Sequence, residues 1–117
     1  MFFIKLVRDK VPQHIKQAGK KPITETLEDD AEFLLYLERK LDEEVQEYHE
    51  SRDPEELADI LEVVMTIAET RGIRYCDLMD MTVKKGLKNG RFSSRTLLVR
   101  IDEPPAFIQI EKPAGPD

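Results

Sequence analysis

Between Leu41 and Asp59 the chain carries two pairs of acids at i, i+3 spacing, Glu44 with Glu47 and Glu56 with Asp59, on either side of Ser51-Arg52-Asp53-Pro54. No other stretch restricts the fold as much. On a helix, positions three apart lie about 60° from one another around the axis, so each pair points from nearly one side. The connection is so short that two helices flanking it must run antiparallel as neighbours. Glu44 and Glu47 then stand about one to two turns before the loop and Glu56 and Asp59 within about two turns after it. Four carboxylates share one end of the hairpin.

Their position relative to the apolar stripe matters, because an acid on a solvated face carries no information. At about 100° per residue, Phe33, Leu34, Leu37, Leu41, Val45 and Tyr48 form one apolar arc, and Glu44 falls inside it. Glu47 sits just off the edge, while Arg39, Glu43 and Glu50 face away. In the second segment Leu57, Ile60, Leu61, Val63, Val64, Ile67 and Ala68 form a wide arc that includes Glu56, with Asp59 at its margin. Acids on a core-facing arc cost several kcal/mol each if left ionised and unpaired. Neither arc contains a Lys or Arg. A divalent cation is the economical remedy, and all-carboxylate ligation favours Mg²⁺ or Mn²⁺ over zinc. Acid pairs also arise without design in a chain with 24 acids, and Asp53-Pro54-Glu55-Glu56 equally reads as a helix cap followed by a capping-box Glu. Spacing alone leaves both readings open.

At 117 residues the chain is the size of one compact domain, expected here over residues 1–101 with a Pro-rich tail over 102–117. A net charge of −6 argues against a general nucleic-acid or anionic-membrane binder. The single cysteine, Cys76, excludes an intrachain disulfide and reads as a buried small hydrophobe. Met1-Phe2-Phe3-Ile4 is too short for a secretory segment and no apolar run reaches membrane-span length, so a cytoplasmic location is expected.

Along the chain, Asp9 is expected to cap a short helix with Pro12 in its first turn and Gly19 at its end, with His14 on its solvated side. Two long helices follow, from about Glu28 to Glu50 and from Pro54 to Arg71, and a third from about Tyr75 to Lys88, where the methionines serve as core filler. The alternating runs at 22–27 and 96–101 suit a short two-stranded β element. The fold class is therefore mainly α, an antiparallel helical bundle with that small β element and an irregular C-terminal tail.

Two basic clusters, one of Lys5, Arg8 and Lys10 and one of Lys84, Lys85, Lys88, Arg91 and Arg95, could face an anionic ligand or simply be solvated. Together with the acids they resemble a known pattern. Lys5-Leu6-Val7-Arg8-Asp9-Lys10-Val11-Pro12, the pairing of Glu43-Glu44-Val45-Gln46-Glu47 with Glu55-Glu56-Leu57-Ala58-Asp59, and Gly90-Arg91-Phe92-Ser93-Ser94-Arg95 resemble, in order, the MazG-like all-α nucleoside triphosphate pyrophosphohydrolases. That superfamily includes phosphoribosyl-ATP pyrophosphohydrolase and dimeric dUTPases. The resemblance spans roughly residues 5 to 98.

The resemblance implies an all-α fold and a Mg²⁺ site (Mn²⁺ as the alternative) held by Glu44, Glu47, Glu56 and Asp59. It implies cleavage of the α–β phosphoanhydride of a nucleotide to monophosphate and pyrophosphate, with Glu43 and Glu44 in the catalytic group and Glu43 orienting water. By the same analogy Arg8, Lys10, Lys85 and Arg95 bind phosphates, and the chain assembles as a homodimer or homotetramer. The interval between Glu47 and Glu56 is shorter than in better-known members of that group. Clearance of noncanonical triphosphates is the leading expectation. Phosphoribosyl-ATP hydrolysis and a non-catalytic metal- or nucleotide-binding module are the alternatives.

Overall fold

The computed structural model describes residues 4–103, which contain four helices and, among the described residues, no strand. Contacts divide the chain into two compact units, Met1–Leu78 and Met79–Asp117.

In the first unit, α1 (Val11–Gln17) carries Pro12 in its first turn, where a missing N–H costs nothing. Its N-cap is Lys10 and not the expected Asp9, and no side chain caps it. Instead the turn closes through backbone, with the Val11 amide donating to the Arg8 carbonyl at 3.0 Å. At its far end Gly19, with φ of 81°, lets the Lys20 amide reach back to the Ile15 carbonyl at 3.1 Å. His14 is exposed, as expected.

α2 (Asp30–Ser51) begins with Asp30 and Glu32 in its first turn, where acids complement the helix dipole. It ends at Arg52, which adopts the left-handed conformation with φ of 57° and donates from its amide to the Tyr48 carbonyl at 2.8 Å. Asp53 then caps α3 (Pro54–Thr70) by accepting from the Glu55 amide at 3.0 Å, and Pro54 supplies the pre-set first helical residue. Two residues thus reverse the chain, and α2 packs on α3. α3 stops at Gly72 in the same manner as α1, with the Ile73 amide donating to the Ala68 carbonyl at 2.8 Å.

Among the described residues the buried apolar core consists of Leu37, Val63 and Ala68. Phe33, Leu34, Leu41, Val45 and Tyr48 on α2 and Ile60, Val64 and Ile67 on α3 surround it half-buried, so both arcs face each other as expected. The α3 arc is wider than α2 can cover, and Leu57 and Leu61 stay about half exposed, at 50% and 45%.

α4 (Tyr75–Asn89) opens at the end of the first unit, and Cys76 in its first turn is exposed, contrary to the expected buried thiol. Nothing in α4 is buried, and Met81 is exposed, not core filler. In the second unit Gly90 ends α4, and a turn follows in which the Arg95 amide donates to the Phe92 carbonyl at 3.1 Å. Neither 22–27 nor 96–101 forms a strand. Leu97, Leu98, Val99 and Ile101 are exposed and no ladder takes up the backbone of that run, which a strand requires. Beyond residue 103 the Pro-rich tail lies outside the described residues, as do Met1 to Phe3.

So small a core should be intolerant of truncation. Leu37→Ala is expected to cost about 3 kcal/mol, read as a fall in the urea midpoint by circular dichroism, whereas Leu87→Ala at an exposed site should stay within about 0.5 kcal/mol of the parent.

Candidate metal centre

Glu44 occupies the middle of α2 on the side that meets α3, and the residue is buried at 6% exposure. It belongs to two groups of acids. Glu44, Glu56 and Asp59 each present a carboxylate oxygen within 4.8 Å of the others, and so do Glu43, Glu44 and Glu47. The hairpin therefore gathers all four acids expected as ligands, Glu44, Glu47, Glu56 and Asp59, around one carboxylate, with Glu43 beside them. Glu43, Glu47, Glu56 and Asp59 are half-buried.

The rival task for Glu56 is not performed. Asp53 caps α3 with its side chain, but its own amide donates to Ser51 Oγ at 3.1 Å and so does not need the Glu56 carboxylate. The Asp53 side chain takes the Glu55 amide while the Glu56 amide donates to the Asp53 carbonyl, so neither bond of the capping box forms, and Glu56 turns toward Glu47.

Among the described residues, three cations reach this cluster. Lys40 Nζ stands 3.3 Å from Glu44 Oε1 and 3.3 Å from Glu43 Oε2. Lys5 Nζ lies 3.4 Å from Glu43 Oε1, and an Arg8 terminal nitrogen donates to Asp59 Oδ1 at 2.7 Å. The arcs hold no basic residue, as expected, but the inference that the acids therefore lack a basic partner is corrected. Lys40 lies just outside the arc of α2, yet it precedes Glu43 by three residues and Glu44 by four, the spacing at which helical side chains meet. That spacing was the signal available in the sequence. Lys5 had no local signal, because it reaches Glu43 across 38 residues.

Even so, compensation is incomplete. Glu44 Oε2 is buried and has no hydrogen-bond partner. Burial pushes the Glu44 carboxyl above the ordinary 4.5; the ion pair with Lys40 opposes this, while Glu47 and Asp59 reinforce it. The Glu56 carboxyl is raised too, by desolvation first and then by Glu47, Asp59 and Glu44. For Lys40, burial works against its charge, but its contacts with Glu44 and Glu43 together outweigh that and hold its pKa above the usual lysine value. A hard cation suits such a site: oxygen donors from two helices converge, and one buried oxygen lacks any other partner.

The cations expected to bind phosphates fall differently. Arg8 is brought to the cluster through Asp59. Lys10 is exposed at the N-cap of α1, where its carbonyl accepts from the His14 amide. Lys85 on α4 and Arg95, which has a left-handed φ of 57°, are both exposed and belong to the second unit.

A carboxyl whose folded pKa exceeds its unfolded value binds more protons in the folded state, so its contribution to stability falls as pH rises through the interval above 4.5. In chelator, Glu44 and Glu56 should therefore stabilise the chain as pH is lowered from neutrality toward 4.5. Glu44→Gln is expected to flatten this part of the Tm–pH curve, measured by thermal melts in EDTA; an unchanged slope would show that Glu44 is not held above its ordinary value.

No family model matches the chain, and no solved structure matches it. Over 42 residues it is 50% identical to an uncharacterized protein of Mycolicibacterium smegmatis, a match covering 36% of this chain. The chain spans 42% of the length of that relative.

Proposed function

We propose that the chain is a Mg²⁺-dependent nucleoside triphosphate pyrophosphohydrolase of the MazG-like kind, with Glu44, Glu47, Glu56 and Asp59 as metal ligands. The observation that carries this reading is the buried Glu44 oxygen with no partner, at the meeting point of two acid groups. A carboxylate in that setting is stable only with a cation or a proton, and the acids around it raise the charge that a divalent ion would relieve.

A bound divalent cation would polarise a phosphoanhydride and acidify an attacking water. The chain's own residues supply the rest. Arg8 touches Asp59 with one nitrogen of a guanidinium that has five N–H donors, so it can hold a ligand acid and contact a phosphate oxygen together. Glu43, whose two oxygens face Lys5 and Lys40, takes the lesser role of orienting water. Lys10, Lys85 and Arg95 remain as phosphate contacts on the strength of the sequence resemblance. We take the working form to be a homo-oligomer, a reading supported by the half-exposed Leu57 and Leu61 beside the acid-bearing turns of α3.

The test is pyrophosphate release from canonical and damaged nucleoside triphosphates and from phosphoribosyl-ATP, with products identified by ³¹P NMR. Monophosphate and pyrophosphate, abolished by EDTA, are expected. Glu44→Gln and Asp59→Asn should each lower kcat by more than about a hundredfold, since even residues that only orient metal ligands are worth about 10–100-fold. Full turnover by either variant would remove the ligand assignment, and tight nucleotide binding without release would leave a binding module.

A further inference from the structure

Lys40 differs from the other cations at the cluster in both position and burial. Its side chain is 17% exposed, against 47% for Lys5 and 59% for Arg8. It contacts Glu43 and Glu44 at once, and Glu44 is the acid common to both potential metal-holding groups. It satisfies one Glu44 oxygen and leaves the other, Oε2, without a partner. Lys40 therefore neutralises the one carboxylate that would be most costly to leave charged, yet it does so incompletely.

Charge arithmetic gives this arrangement a meaning. Glu43, Glu44, Glu47, Glu56 and Asp59 bring five formal negative charges, and Lys5, Arg8 and Lys40 bring three positive ones. The remaining two equal the charge of a single divalent ion. An ammonium 3.3 Å from a ligand oxygen also repels any dication bound to the same carboxylate, since the two share a weakly screened region. Lysine is suited to yield under that repulsion, because its charge sits on a flexible four-carbon stem and leads to no fixed fork of bonds.

Resting on the reading of these acids as a metal centre, we propose that Lys40 is a resident counter-ion that exchanges with the divalent cation. It holds Glu44 when the site is empty, releases Glu44 but stays with Glu43 when the ion binds, and so limits the cluster to one ion. Lys40 is a positioning residue in this scheme. It sets the affinity and stoichiometry of the metal without touching the substrate.

The experiment titrates the chelator-stripped full chain with Mn²⁺ alone, by calorimetry and by the paramagnetic signal of free Mn²⁺, and records Tm with and without the ion. The parent is expected to bind one Mn²⁺ per chain. Lys40→Met should bind it about tenfold more tightly or take up a second ion. The same variant should melt lower in EDTA and recover with Mn²⁺, so that its ion-induced rise in Tm exceeds that of the parent. Lys40→Arg, which keeps the charge, should follow the parent in affinity and stoichiometry. A merely structural lysine would lower Tm equally with and without Mn²⁺ and leave affinity unchanged, and that result overturns the exchange. So does a Lys40→Met chain that Mn²⁺ cannot restore to the folded state. Failure of the parent itself to bind Mn²⁺ would instead remove the metal centre, and the exchange with it.

Discussion

A carboxylate buried between two helices cannot stand alone, and the rest of this hairpin is arranged around that requirement at Glu44. Relief comes first from one turn away on the same helix, through the 3.3 Å contact with Lys40. It comes also from the register of α3, which decides which residues meet Glu44 from across the interface. That register is set at the loop. Arg52 in the left-handed conformation ends α2, Asp53 caps α3 with its side chain, and Pro54 fixes the first helical residue. With only two residues between the helices there is no slack, so Glu56 and Asp59, in the first two turns of α3, must fall beside Glu44. A longer loop would permit the helices to slide and the acids to separate.

Features that depend on periodicity within one helix could be read before any coordinates. The placement of Glu44 inside the apolar arc of α2 and the gathering of four acids at one end follow from 3.6 residues per turn and a short loop, and both appear in the structure. Local chemistry was legible to the same degree at Asp53-Pro54 and at Gly19 and Gly72. Asp9 failed as a cap because the first turn of α1 closes through the Arg8 carbonyl, and a backbone acceptor leaves no mark in residue type. Cys76 and the run 96–101 failed for a related reason. An apolar or β-branched residue signals what it would gain from burial, and the described chain supplies no cover for either. Contacts across long separations were the least legible. Lys5 with Glu43 and Arg8 with Asp59 join an irregular N-terminal segment to the two helices, and the sequence marked Lys5 and Arg8 as a basic cluster without saying which acids they meet.

The size of the core ties the acids to folding itself. Leu37, Val63 and Ala68 are the buried apolar residues among those described, so the hairpin has little hydrophobic surplus with which to offset a poorly compensated buried charge. Any ligand that binds the folded hairpin and not the unfolded chain stabilises it by mass action, by about 2.7 kcal/mol at a hundredfold excess over Kd. In a fold with so small a margin that is a large share of the whole. The same carboxylates would then act in two ways. Without a cation they oppose the closure of α2 on α3, restrained by Lys40, Lys5 and Arg8. With one, they become a reason for the two helices to stay closed.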